Sequence, residues 1–182
     1  VADPDGIMDL PAGFSYRVLD TFGDAMDDGY VVPSLPDGMA VFPGPDDTII
    51  LMRNHELLFG DGPYPFGEGP PEAYDPLGMG CVTRVVLNAR DFTRISSNLV
   101  LCGTVINCAG GPSPWGWLSC EEATTPQHGY VFLCDPAAER VQMPRKIAAY
   151  GRFKHEAACV DTRTNTVYLT EDQGDGSFYR FV

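Results

Sequence analysis

Basic residues are scarce. Twelve Lys and Arg stand against twenty-five Asp and Glu in 182 residues, a formal net charge of −13. Without clustered cations to hold phosphates, nucleic acid and anionic membrane are excluded as expected partners. Histidine is scarcer still, at three. A metal site would have to draw on carboxylate oxygens, which suit calcium, magnesium, manganese or oxidised iron better than zinc. No apolar run is long enough to span a bilayer, no signal peptide is visible at Val1, and helical periodicity is hard to find. None of the six cysteines (Cys81, Cys102, Cys108, Cys120, Cys134 and Cys159) sits in a CxxC pair. Cys102, Cys134 and Cys159 lie in apolar runs and read as small hydrophobes, with disulfides the lesser alternative.

What is present is a strand-and-turn chain. Hydrophobic residues make up 44%, enough for one globular domain with a core, and twenty Gly and sixteen Pro punctuate it. Alternating or short apolar runs predict strands at 14–19, 39–42, 48–53, 81–88, 97–103, 115–120, 129–135, 157–161, 166–171 and 178–182. The Gly/Pro-rich stretch 57–80 predicts a long surface loop inserted between them.

Three stretches share one plan: 38–56 "GMAVFPGPDDTIILMRNHE", 104–122 "TVINCAGGPSPWGWLSCEE" and 154–172 "KHEAACVDTRTNTVYLTED". Each is strand, turn, strand, and each ends on acids. A period of roughly 40–50 residues built of short antiparallel strands marks a propeller blade. A sandwich or barrel is the competing all-β reading. In a propeller, His55-Glu56, Glu121-Glu122 and Glu171-Asp172 would converge on one axis, where carboxylates repel unless cations lie between them.

The order of "LPAGFSYRVL", "DGMAVFPGPD", "LMRNHE", "NCAGGPSPWGWLSCEE", "HGYVF", "GRFKHEAACVD", "VYLTED" and "FYRF" resembles that of PhoX-type alkaline phosphatases, from about Leu10 to Val182. The resemblance implies a six-bladed β-propeller in which an iron and calcium cluster hydrolyses small phosphate monoesters, in the periplasm or outside the cell. On that pattern the chain is a single partial propeller of about three blades, 1–182, from the N-terminal part of the fold. Cys108 matches an iron ligand, and Glu122 and Glu156 match metal-binding, catalytic glutamates. Asn54, Glu56, Glu171 and Asp172 match further metal positions.

His55 and His155 would then orient neighbouring carboxylates, while Arg53 and Arg152 either reach phosphate or pair with nearby acids. Each residue has a plainer reading: Cys108 as space filler, Glu121 as a solvated neighbour of Glu122, His128 as a turn residue, Trp115 and Trp117 as packing. The family pattern has one more residue between Gly116 and Trp117, so Glu122 must regain its direction through the turn before it. Open edge strands at both cut ends would favour self-association. A non-catalytic propeller of the same superfamily, binding calcium or serving as an interaction module, is the alternative function, with a lactonase-like calcium propeller that needs no Cys108 as a third.

Overall fold

The computed structural model describes residues 1–60 and 69–182. Among these residues the chain forms three antiparallel sheets and one short 3-10 turn, Ala148–Tyr150. No helix among them is long and apolar enough to cross a membrane. The first sheet is β1 (Pro36–Pro43), β2 (Thr48–His55), β3 (Gly80–Asn88) and β4 (Arg94–Thr104), in that order. The second is β5 (Asn107–Ser113), β6 (Gly116–Glu121) and β7 (Val131–Cys134); the third is β8 (His155–Asp161), β9 (Thr166–Glu171) and β10 (Phe178–Phe181).

Strands adjacent in sequence are adjacent in each sheet, so every sheet is a simple meander. The first strands stand side by side, β1 against β5 and β5 against β8. This is an all-β, blade-like arrangement.

The sheets stack through shared cores. Ile50, Met52, Val82, Val100 and Leu101 of the first sheet meet Trp117, Phe132 and Cys134 of the second. Leu118, Cys120 and Val131 of the second meet Ala158, Val167 and Leu169 of the third. Each such aliphatic or aromatic side chain contributes roughly 1.5–3 kcal/mol by leaving water. Met26 and Val32 cover Cys81, Leu99 and Cys102, tying the N-terminal segment onto the first sheet.

Glycine lets the first strands approach at backbone distance. A Cβ on Gly38 would lie 2.6 Å from the Ala109 Cα, and one on Gly111 would lie 1.7 Å from the Ala158 carbonyl oxygen.

Three expectations need correction. Residues 14–19 form no strand: Phe14 and Val18 are exposed, with no partner strand on which to bury an alternating face. Conversely, β5 was hidden by its Gly and Pro content, which reads as turn but serves the close packing of β5 between β1 and β8. The stretch 57–80 is not surface throughout, because Leu57 and Met79 are buried and Tyr74 packs on the core; its residues 61–68 lie outside the described residues. The outer edge of β4 is covered within the chain. Carboxylates of Asp27 and Asp28 accept the Ser97 and Leu99 N–H groups at 2.7 and 2.6 Å, and the N–H groups of Tyr74 and Asp75 reach the Cys102 and Gly103 carbonyls at 3.0 Å each.

Candidate metal centre

The three sheets repeat one local distortion. In β1/β2 the register runs Pro36↔His55 and then Met39↔Arg53; in β5/β6 it runs Asn107↔Glu121 and then Gly110↔Ser119. In β8/β9 it runs His155↔Glu171 and then Ala158↔Leu169. Each is a β-bulge, two residues facing one, at the same place in each hairpin. A bulge re-aims a side chain that regular alternation would send elsewhere. The residues so placed are Asp37, Cys108 and Glu156. The residue just past each second strand is Glu56, Glu122 or Asp172.

These positions assemble into two overlapping triads. Potential ligand atoms of Asp37, Glu56 and Cys108 lie within 4.8 Å of one another, and so do those of Cys108, Glu122 and Glu156. Each triad takes the bulge residue of one sheet, the acid after that sheet's second strand, and the bulge residue of the next sheet. Applied to the third sheet, the same rule starts from Glu156 and Asp172. The Cys108 thiol lies 3.3 and 3.2 Å from the two Glu156 oxygens and 3.9 Å from the Asp37 carboxylate.

The electrostatics show what the cluster lacks. Burial raises the Glu56 carboxyl above its ordinary range, and the charges of Asp37, Glu122 and Glu156 raise it further. Burial and then Asp172 raise Glu122, against the opposing pull of Lys154, whose ammonium is 3.6 Å away. Burial, the hydrogen bond to Glu156 and the surrounding acids push the Cys108 thiol far up. Several acids thus crowd one thiol, with Lys154 as the cation in contact. Hard carboxylate oxygens around a soft sulfur fit metal ions, and a coordinated thiol loses its proton outright.

The paired acids at 121 and 122 have separate tasks. Glu121 is fully buried and structural. It accepts the N–H groups of Val105 (3.1 Å), Gly129 (2.8 Å) and Tyr130 (3.2 Å), and meets His128 Nδ1 at 2.7 Å. It is therefore no solvated neighbour, and His128 is no mere turn residue: its Nε2 continues to Asp75 at 3.3 Å. A two-residue turn, Pro114 and Trp115, closes the hairpin between paired Ser113 and Gly116, and Glu122 stands in the triad with Cys108.

Other expected site residues are occupied elsewhere. Asn54 was expected as a ligand, but its amide donates to the carbonyls of Cys108 (2.8 Å) and Ala109 (2.6 Å). Its oxygen accepts from Trp117 Nε1 (2.8 Å) and Ser119 Oγ (2.9 Å). Glu171 stands outside both triads and accepts from the Ser177 N–H and the Tyr179 hydroxyl. Asp172 also stands outside both triads: its N–H donates to the Lys154 carbonyl at 3.1 Å, and its charge raises Glu122.

His55 bridges the Ser34 carbonyl and the Thr83 hydroxyl, each at 2.9 Å, rather than a glutamate; burial and Arg53 lower it to about 4. His155 stacks on Phe153 and touches the Gly151 carbonyl at 3.3 Å, and burial lowers it to about 4. Arg53 forms a two-pronged pair with Asp20 at 2.8 and 3.0 Å. Arg152 donates to the carbonyls of Thr124, Thr125 and His128. Both arginines are thus committed to the protein rather than to a phosphate. All six cysteines are free thiols, and Cys159, expected to be packed, is exposed.

Asp37 and Lys154 were missed. Asp37 precedes the first repeat and reads as a turn former beside Gly38. Only the shared bulge, and no single shift of the three stretches, sets it opposite Cys108 and Glu156.

Fold and site together define an all-β protein with a candidate metal centre of carboxylates and one thiol, built where three sheets meet. The chain belongs to the PhoX alkaline phosphatase family: the family model "Alkaline phosphatase PhoX" matches residues 1–69 and 83–182. No curated protein and no solved structure matches it.

Proposed function

We propose that this chain carries the cation-binding face of a PhoX-type phosphomonoesterase, with iron and calcium as its resident ions. The three sheets are then consecutive blades of one propeller domain, 1–182, with 57–80 as an insertion. The observation that carries the reading is that Cys108 belongs to both triads. A thiolate shared by two carboxylate pairs favours iron beside it, while the carboxylate oxygens suit calcium. Cations bound there would supply Lewis-acid polarisation of a phosphoryl oxygen.

The chain's own residues define the rest. Cys108, Glu122 and Glu156 hold one position; Asp37, Glu56 and Cys108 hold the other. Asp172 adds charge beside Glu122. Lys154, paired with Glu122, becomes available to a substrate oxygen once Glu122 is engaged by a cation. The same reading places the protein in the periplasm or outside the cell and gives it a small phosphate monoester as substrate.

One observation favours a second reading. Arg53 and Arg152 are spent on Asp20 and on backbone carbonyls, which suits a calcium-binding module without catalysis. One experiment separates the two: elemental analysis of purified protein, with p-nitrophenyl phosphate hydrolysis measured at alkaline pH. Bound iron that is lost in Cys108→Ser, with hydrolysis lost alongside, supports the phosphatase. Calcium alone, unaffected by Cys108→Ser, supports the module. Protein that neither retains nor takes up metal and shows no hydrolysis at any pH ends both.

A further inference from the structure

The carbonyls of Cys108 and Ala109, in the β5 bulge, are both held by a single side chain from another sheet. We infer that Asn54 is a positioning residue that sets the Cys108 thiol for cation capture, an inference that rests on Cys108 being a ligand.

Asn54 lies in β2 opposite the β1 bulge, since Pro36↔His55 and Met39↔Arg53 leave it facing Asp37 and Gly38. From there it reaches into the second sheet, its two amide hydrogens fastening consecutive carbonyls of the neighbouring bulge. The first bond orients the peptide unit that leaves the Cys108 Cα and the second the unit after it, so together they fix the bulge from which the Cys108 Cβ–Sγ vector projects.

The amide is itself held by a buried polar chain. Thr104 Oγ1 donates to Asn107 Oδ1 at 2.6 Å, Asn107 Nδ2 donates to Ser119 Oγ at 2.8 Å, and Ser119 Oγ donates to Asn54 Oδ1. Trp117 adds a second donor to the same oxygen. Thr104, Asn107, Ser119 and Asn54 are all fully buried. Two donors on Oδ1 fix which end of the Asn54 amide faces the bulge, so only the NH₂ end can meet the carbonyls. Nothing in this chain is left over for a metal bond by Asn54 itself. Its action on the site passes through the backbone of Cys108.

Partners that orient a ligand typically change metal affinity tenfold to a hundredfold. The test is titration of the metal-free, reduced protein with Co²⁺, reading affinity and the near-ultraviolet thiolate-to-cobalt charge-transfer band, with Tm measured alongside. The native protein is expected to show the band and Cys108→Ser to lack it. Asn54→Ala and the isosteric Asn54→Asp, which keeps the acceptor but loses both amide donors, are expected to bind Co²⁺ about tenfold to a hundredfold more weakly with a diminished band.

Ser119→Ala loosens Asn54 without removing it and gives a smaller loss in the same direction. It serves if the Asn54 variants do not fold. A folded Asn54 variant with unchanged affinity and band overturns the inference, whatever its Tm. So does an unchanged Ser119→Ala where the Asn54 variants do not fold. Absence of the band in the native protein overturns instead the assignment of Cys108 as a ligand.

Discussion

Cys108 and Glu156 stand on the bulges of neighbouring sheets, and the thiol of one lies 3.3 and 3.2 Å from the two carboxylate oxygens of the other. Without a cation, burial and the hydrogen bond to Glu156 hold the proton on the Cys108 thiol, and Glu56 and Glu122 nearby are also driven toward protonation. A bound cation reverses that preference, since it needs the ligands ionised. The predictions below follow from this tension and from the packing that creates it.

Chelator-treated protein loses stability as pH rises. A carboxylate raised in the folded state binds more protons folded than unfolded, so stability falls as pH climbs from the ordinary glutamate value of 4.5 through the raised one. Calcium should therefore raise Tm more at pH 7 than at pH 4.5, and Glu56→Gln with Glu122→Gln should flatten the dependence of the metal-free protein. Differential scanning fluorimetry with and without calcium checks it; an equal gain at both pH values contradicts it.

His128 is a stability element with the opposite ligand logic. Burial lowers its pKa, but the hydrogen bond and charge of Glu121, and then those of Asp75, outweigh this and hold it above 6.5. Its contribution is complete below 6.5 and fades as pH rises through the raised value. His128→Gln is expected to cost about 3 kcal/mol at pH 6. Urea unfolding at pH 6 and pH 9 should show a smaller difference from native at the higher pH.

Arg53 serves the fold. Its pair with Asp20 is buried, at 8% and 5% side-chain exposure, so Asp20→Ala leaves an uncompensated guanidinium and should cost about 3 kcal/mol. Arg53→Met together with Asp20→Ala should recover most of that loss. Metal content should be unchanged in the double variant, whereas a phosphate-binding Arg53 would appear as a raised KM in any phosphatase assay.

Gly111 is needed for the contact between β5 and β8. A Cβ there would meet the Ala158 carbonyl oxygen at 1.7 Å, too close for any rotamer to relieve. Gly111→Ala should destabilise by about 3 kcal/mol and weaken metal binding by parting Cys108 from Glu156. Gly174→Ala, with nothing within 4 Å of the added carbon, is the control expected to change neither.

The strands were legible where apolar residues alternate or run together, as in "TIILMR" and "CVTRVVLN", because burial on one or both faces writes a period into the chain. β5 was not, since "NCAGGPS" carries the glycines its neighbours demand rather than a strand composition. Glu56 and Glu122 could be named because each ends a repeated strand, and Cys108 and Glu156 through the resemblance to PhoX-type phosphatases. Asp37 stood at the equivalent place but one residue outside the repeat as drawn.

By itself the sequence determined an all-β chain of repeated hairpins whose ends collect acids and one thiol. It could not show that Glu121 is a buried structural acid, or decide whether Asn54 binds a cation or holds a backbone. Those outcomes belong to the tertiary structure. A bulge rotates the residue it carries out of the strand's alternation, and only the neighbouring sheet, packed at glycine distance, determines which partner each side chain then meets.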